Sequence, residues 1–198
     1  MKKVILLAFV LFMTRFTSFT QLTYGAKAGI NLSSISFSDD KYNTSVKSGF
    51  HAGGFVHYPI NAKTGVQAEL LYSTEGNKWD TKPSSFTGVI KSSQVRIPVL
   101  IHYKIDPRFA IEAGPQFRWL VSIKQTAQGA THSIKPLYYT GTIGLAAGAT
   151  YTLPGRFPGL RAGFRINREL TKINKINVGG GTLHSTVFAL SLGYTFKK

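Results

Sequence analysis

From Leu22 onward, apolar residues recur at every second position, the spacing a β-strand imposes by turning successive side chains to opposite faces. The first segment sets Leu22, Tyr24, Ala26, Ala28, Ile30 and Leu32 against Thr23, Gly25, Lys27, Gly29, Asn31 and Ser33. Seven more segments follow, over 47–58, 65–75, 93–104, 108–124, 137–152, 160–170 and 185–197. In the fourth, for example, Val95, Ile97, Val99, Ile101 and Tyr103 oppose Gln94, Arg96, Pro98 and His102. Phe55 breaks the alternation, and Leu71, Leu100 and Leu120 fall on the polar face, whereas Ile123 falls on the apolar one. The pattern predicts an all-β fold of eight antiparallel strands, with no helix of period 3.6 and no domain linker.

The connections alternate in length. Those at 59–64, 105–107 and 153–159 are short and carry Pro, Asn, Asp or Gly, the residues that close hairpins. Those at 35–46, 76–92, 125–136 and 171–184 are long and polar. Short turns at one end and long loops at the other are the asymmetry of an up-and-down barrel in an outer membrane, where the short turns are periplasmic.

Alternation alone does not say which face meets water, because a soluble calyx carrying a small apolar ligand alternates too, with its apolar side inward. Three features favour the membrane. The polar face is mostly Gly, Thr, Ser, Asn and Gln, which suits a narrow filled interior better than a solvated exterior. Aromatic residues of the apolar face collect at strand ends, as an interfacial girdle requires: Tyr24, Tyr58, Tyr103, Phe109, Tyr151, Tyr194 and Phe196 toward the short turns, and Phe50, Tyr72, Trp119, Tyr139 and Phe188 toward the long loops. Finally, the segment Leu192-Gly193-Tyr194-Thr195-Phe196 is an aromatic-x-aromatic strand that resembles the assembly signal of bacterial outer-membrane barrels.

The N-terminal stretch changes the picture further. Met1-Lys2-Lys3 is a positive leader, Val4 to Met13 is apolar, and a polar stretch with small residues at Ser18 and Thr20 follows. An apolar run of that length rises only about 15 Å as a helix against a hydrocarbon core of roughly 30 Å. It reads as a secretory signal peptide, residues 1–20, followed by one barrel domain, residues 21–198.

Composition excludes several functions. The chain has no Cys, so disulfide frameworks, zinc knuckles and thiol nucleophiles are out. Lys+Arg number 24 against 8 Asp+Glu among 198 residues, a net charge of +16. The basic residues are spread along the chain with no block of like charge, which argues against a nucleic-acid partner.

The polar face carries Glu69, Arg96, Glu112, Arg118, Arg161, Arg165 and Glu169. Isolated charges in a lumen barely wide enough for side chains are costly, so opposite signs should pair, with Glu69 facing an Arg across the barrel. That network predicts a plugged lumen and no catalytic, metal or cofactor site, because a carboxylate pair needs a substrate-sized cleft to do acid–base work. His51 and His57 lie about 20 Å apart along one strand and cannot share a metal, while His57 and His102 approach only as structural groups. The dipeptides His132-Ser133 and His184-Ser185 point their side chains apart and form no dyad, and Gly179-Gly180-Gly181 lacks the strand-to-helix setting of a phosphate cradle. Lys78, Lys82, Lys91, Lys135, Lys172 and Lys175 put positive charge on the long loops, in reach of lipopolysaccharide phosphates.

The segments Gly49-Phe50-His51-Ala52-Gly53, Glu69-Leu70-Leu71-Tyr72-Ser73-Thr74-Glu75-Gly76, Ile97-Pro98-Val99-Leu100 and Glu112-Ala113-Gly114-Pro115-Gln116 together resemble the PorT-like outer-membrane β-barrel family. The resemblance implies an eight-stranded Gram-negative outer-membrane barrel, and implies no activity. The expected protein is therefore a monomeric, non-enzymatic, multi-pass barrel of the cell outer membrane, in contact with membrane lipid, lipopolysaccharide and, during biogenesis, the outer-membrane assembly machinery. A structural or partner-binding role in the envelope is expected, with an accessory role in a secretion or uptake complex and the soluble calyx as alternatives. Any protein partner stays unidentified.

Overall fold

Alternating residues with short Asx-type turns between them fold as strands paired to their neighbours in sequence. The computed structural model describes residues 22–36, 42–81, 87–155, 158–175 and 183–196. Within them run β1 (Thr23–Ser36), β2 (Tyr42–Pro59), β3 (Thr64–Thr81), β4 (Thr87–Lys104), β5 (Phe109–Ala127), β6 (Ala130–Ser133), β7 (Gly141–Thr152), β8 (Leu160–Glu169) and β9 (His184–Phe196). All pairings are antiparallel. β9 pairs with β1 and β4 pairs with β5, so eight strands close into an up-and-down barrel, while β6 is a short hairpin arm on β5. The signal-peptide segment and the Gly179–Gly181 run lie outside the described residues, as does Lys82.

Two of the short turns, 59–64 and 105–107, form where expected, each set by one side chain. Asn61 Oδ1 accepts from the backbone N–H groups of Lys63 and Thr64 at 2.9 and 2.7 Å. Asp106 Oδ1 accepts from those of Arg108 and Phe109 at 2.7 and 2.8 Å.

Orientation follows the polarity of the two faces. Ile30, Leu70, Ile101, Ile143, Leu190 and Leu192 are exposed on the outside. Asn31, Gln67, Glu69, Arg96, Glu112, Gln116 and Arg165 are buried in the lumen. The calyx arrangement, with apolar residues inside, is thereby excluded.

The long-loop side departs from the sequence reading at several points: β2 already begins at Tyr42 and β6 lies within the connection predicted over 125–136. Residues 76–92 are largely strand, since β3 and β4 pair from Gly76↔Lys91 up to Asp80↔Thr87. At about 3.4 Å per residue and a tilt near 40°, these 18-residue strands rise well beyond an apolar band of about 25 Å. The segment over 137–152 becomes strand only from Gly141, after a 3-10 turn at Lys135–Leu137, so Tyr139 precedes the strand. Ile123 is buried inside because of a bulge: Gln94 pairs with Leu120 but Ser93 with Ser122, and the extra residue inverts the facing of everything beyond it on β5.

The exceptions to alternation have packing reasons. Phe55 turns inward because its cross-strand partner is Gly25, and Gly193 borders the same space; a ring fits where two residues lack side chains. Leu71, Leu100 and Leu120 are also buried inside.

Candidate functional site

The lumen is filled in tiers. Near the short turns, the rings of His57 (β2) and His102 (β4) meet edge to face with centroids 5.4 Å apart. His102 Nε2 lies 3.0 Å from Glu112 Oε2 on β5. Arg161 on β8 places its guanidinium 4.9 Å from the centroid of Phe55 and donates to Thr195 Oγ1 at 2.7 Å. Such a cation–π contact holds the charge without a carboxylate.

The next tier centres on Arg165 of β8. Its Nη1 and Nη2 donate to Glu69 Oε2 and Oε1 at 2.7 and 2.8 Å, and its Nε donates to Glu112 Oε1 at 2.7 Å, with Nη2 on the same oxygen. Glu69 also takes Lys27 Nζ at 3.2 Å and Gln67 Nε2 at 2.6 Å. One guanidinium thus joins β3 to β5 from the opposite wall. Above it, Asn31 bonds His51 Nδ1 at 2.8 Å and Ser73 Oγ at 2.9 Å.

A second guanidinium repeats the device higher up. Arg96 of β4 grips Glu75 with Nε and Nη2 at 2.7 and 2.9 Å, and Glu169 of β8 with Nη1 at 2.9 Å. Glu169 is held further by Thr142 Oγ1 at 2.8 Å. Arg118 donates to Thr142 Oγ1 at 2.8 Å and to Gln94 Oε1 at 3.1 Å, so it joins this tier through neutral groups. The void bordered by Lys27, His51, Glu75, Arg96 and Arg165 is about 20 Å³, room for a single water.

An apolar cap closes the stack at the long-loop end. Ile35, Ile90, Leu120, Ile123, Tyr138, Ile173 and Leu183 form a buried cluster, with Trp79, Ile134 and Leu137 packed on it. Two long connections are stitched together over it: Tyr138 bridges Asn174, Tyr139 N–H donates to Ile173 O at 2.9 Å, and Lys175 N–H donates to Leu137 O at 2.8 Å. Leu183 N–H donates to Asn174 Oδ1 at 2.9 Å.

Of the lumen charges singled out in the sequence, Glu69, Glu112 and Arg165 come together in the lower tier. Arg96, Arg118 and Glu169 meet in the upper one, and Arg161 stands apart on Phe55. Sequence reasoning left out Lys27 and Glu75, although both share the inward parity that would have found them. The cap left no comparable signal, because Ile134, Leu137, Ile173 and Leu183 are single apolar residues in otherwise polar connections. Among the described residues no group of three or more His, Asp or Glu is placed to hold a metal ion. His132 and Ser133 are exposed on β6, while His184 reaches the Glu169 carbonyl with Nδ1 at 3.2 Å.

On the outer wall, Tyr24, Tyr103, Tyr151, Tyr194 and Phe196 are exposed near the short turns, with Tyr58 and Phe109 half-buried. The rings of Tyr24 and Tyr194 each stand 5.7 Å from that of Phe196. Toward the loops, Phe50 and Tyr72 pair at 6.2 Å and Phe117 and Trp119 at 6.4 Å.

A closed barrel with an apolar exterior and a charged interior is the form of an outer-membrane protein, and residues 16–175 match the family described as outer membrane protein beta-barrel domain. The chain belongs to that family. Its fold is similar to that of Ail, the attachment invasion locus protein of Yersinia pestis, at 15% identity and a TM-score of 0.51, covering 88% of this chain and 98% of that one. It is also similar to Neisserial surface protein A, at 13% identity and a TM-score of 0.56, covering 87% and 97%. At such identities the likeness is one of fold. No curated protein matches the chain in sequence. The family and the fold place the protein in the outer membrane.

Proposed function

We propose that the protein is a monomeric, non-enzymatic barrel closed to ions, with a structural or partner-presenting role in the envelope. The observation that carries this reading is the pair of guanidinium bridges, Arg165 between Glu69 and Glu112 and Arg96 between Glu75 and Glu169, which cross the lumen at two heights. Removing bound water and paired charge from a path this narrow is too costly for ordinary ion passage. Without a substrate-sized cleft beside them, these carboxylates have no reaction to serve. Purified protein in planar bilayers should give no large steady current; sustained open currents would overturn the reading.

The four long connections face outward from the cell and the aromatic rings sit at the two headgroup levels, as the turn asymmetry and the girdle pattern support. Export through a cleaved N-terminal signal and insertion by the outer-membrane assembly machinery accord with the leader and with the Tyr194–Phe196 strand. The PorT-like resemblance supports the same architecture. A role as an accessory subunit of a secretion or uptake complex has one specific support: the stitched connections at Tyr138 and Asn174 offer a preorganised surface to a partner. Recovery of a defined complex after mild detergent extraction tests it.

A further inference from the structure

The distribution of charge between the two faces is lopsided. All four glutamates of the chain are buried in the lumen. Of the aspartates, Asp106 is engaged in the β4–β5 turn, and Asp80 stands near the end of β3. Among the described residues, the outer wall beyond the upper aromatic residues therefore shows mostly positive charge.

Arg168, Lys172 and Lys175 carry part of that charge, and another part gathers on three adjacent strands. Lys91 of β4 is directly opposite Lys124 of β5, and both are exposed. On the other side Lys91 pairs with Gly76, two residues from the exposed Lys78 of β3. Lys47 of β2 lays its side chain beside Gly76. None of the four is in an ion pair among the described residues. Like charges directly opposite on paired strands, with Cβ atoms about 5 Å apart, are destabilising, and an anion between them relieves the repulsion. The β5 bulge is what turns Lys124 outward; without the extra residue it would face the lumen.

Directly below, the same strands are apolar. Val95 pairs with Trp119 and Ile97 with Phe117, and Val99, Ile101 and Val121 extend the wall. Apolar contact below and ammonium groups above complement a lipid with several acyl chains and a phosphorylated head.

We propose that the outer wall of β3, β4 and β5 is a binding site for a phosphorylated glycolipid of the outer leaflet, with Lys78, Lys91 and Lys124 on its phosphates and Val95, Ile97, Phe117 and Trp119 along its acyl chains. The proposal rests on the reading that the long-loop end faces outward. Losing two ammonium groups beside anionic headgroups weakens retention by roughly tenfold or more.

The test uses the purified protein in mild detergent, with retained lipid counted by native mass spectrometry. Diphosphorylated lipid A should be retained at least tenfold more strongly than the same lipid stripped of phosphate. The Lys91→Gln, Lys124→Gln double variant should lose that preference, while Lys63→Gln with Lys104→Gln, at the short-turn end, should keep it. Equal retention of the two lipids, or an unchanged preference in the Lys91/Lys124 variant, overturns the site. Orientation is read separately. Ala130→Cys, the sole thiol in such a chain, should react with a membrane-impermeant maleimide on intact cells, and labelling only after lysis overturns the outward reading whatever the lipid result.

Discussion

Arg165 holds two carboxylates that reach it from different strands, Glu69 of β3 and Glu112 of β5, each at 2.7 Å from one of its nitrogens. Among the described residues neither carboxylate has a second guanidinium, although Lys27 assists Glu69 and His102 assists Glu112.

Removing that guanidinium leaves both carboxylates buried without their main counter-charge. Arg165→Ala should destabilise the barrel by about 3–5 kcal/mol, measured by urea unfolding in lipid vesicles. Adding Glu69→Gln and Glu112→Gln should recover much of the loss, since neutral amides tolerate burial where ions do not. Failure of that rescue would show that packing, rather than charge, sets the cost.

The lipid-facing wall gives a prediction of opposite logic. Leu190 lies near the middle of β9 between Ile30 of β1 and Phe164 of β8, and is 51% exposed. Leu190→Arg should cost about 2–4 kcal/mol in bilayers. An unchanged folding yield would count against hydrocarbon on that face.

The two stitched connections should loosen independently of the barrel. Ile173 and Leu183 are each 1% exposed in the cap. Ile173→Asp puts a charge into that cluster, so trypsin cleavage at Lys172 and Lys175 should become much faster. The heat-modifiable migration of the folded barrel on gels should be retained. Loss of both together would make the cap part of one cooperative unit with the wall.

Close packing around Phe55 supplies a fourth test. A side chain at Gly25 would meet the Phe55 ring and the Tyr194 carbonyl. Gly25→Val should therefore destabilise by about 1–3 kcal/mol, and Gly25→Val combined with Phe55→Ala should lose less than the sum of the single changes, as unfolding midpoints would show.

Much of this architecture was legible in the sequence because a membrane barrel writes its two environments into alternate residues. Ile30 and Leu190 outside, and Glu69 and Arg165 inside, follow from parity alone. Parity fails where the backbone adds a residue, which is why it places Ile123 on the wrong face and does not reveal Lys124 as a neighbour of Lys91. It is silent on pairing between distant strands: nothing in the spacing said that Arg96 would choose Glu75 and Glu169. It is also silent on the cap, whose residues come one or two at a time from separate connections and acquire a common neighbourhood only once the wall has closed. The pattern does not show the strand beyond residue 75, because Gly, Asn, Lys and Asp read as loop although the β3–β4 ladder continues through them.

Because β1 and β9 pair along their length, from Tyr24↔Phe196 to Ser36↔His184, the seam of the cylinder joins the segments farthest apart in the chain. Such long-range closure carries the greatest loop entropy and tends to come late. Until the seam zips, β1 and β9 each present a bare edge able to recruit a stranger. The time spent in that half-sealed form, more than the strength of any contact within it, sets the chance of misassembly.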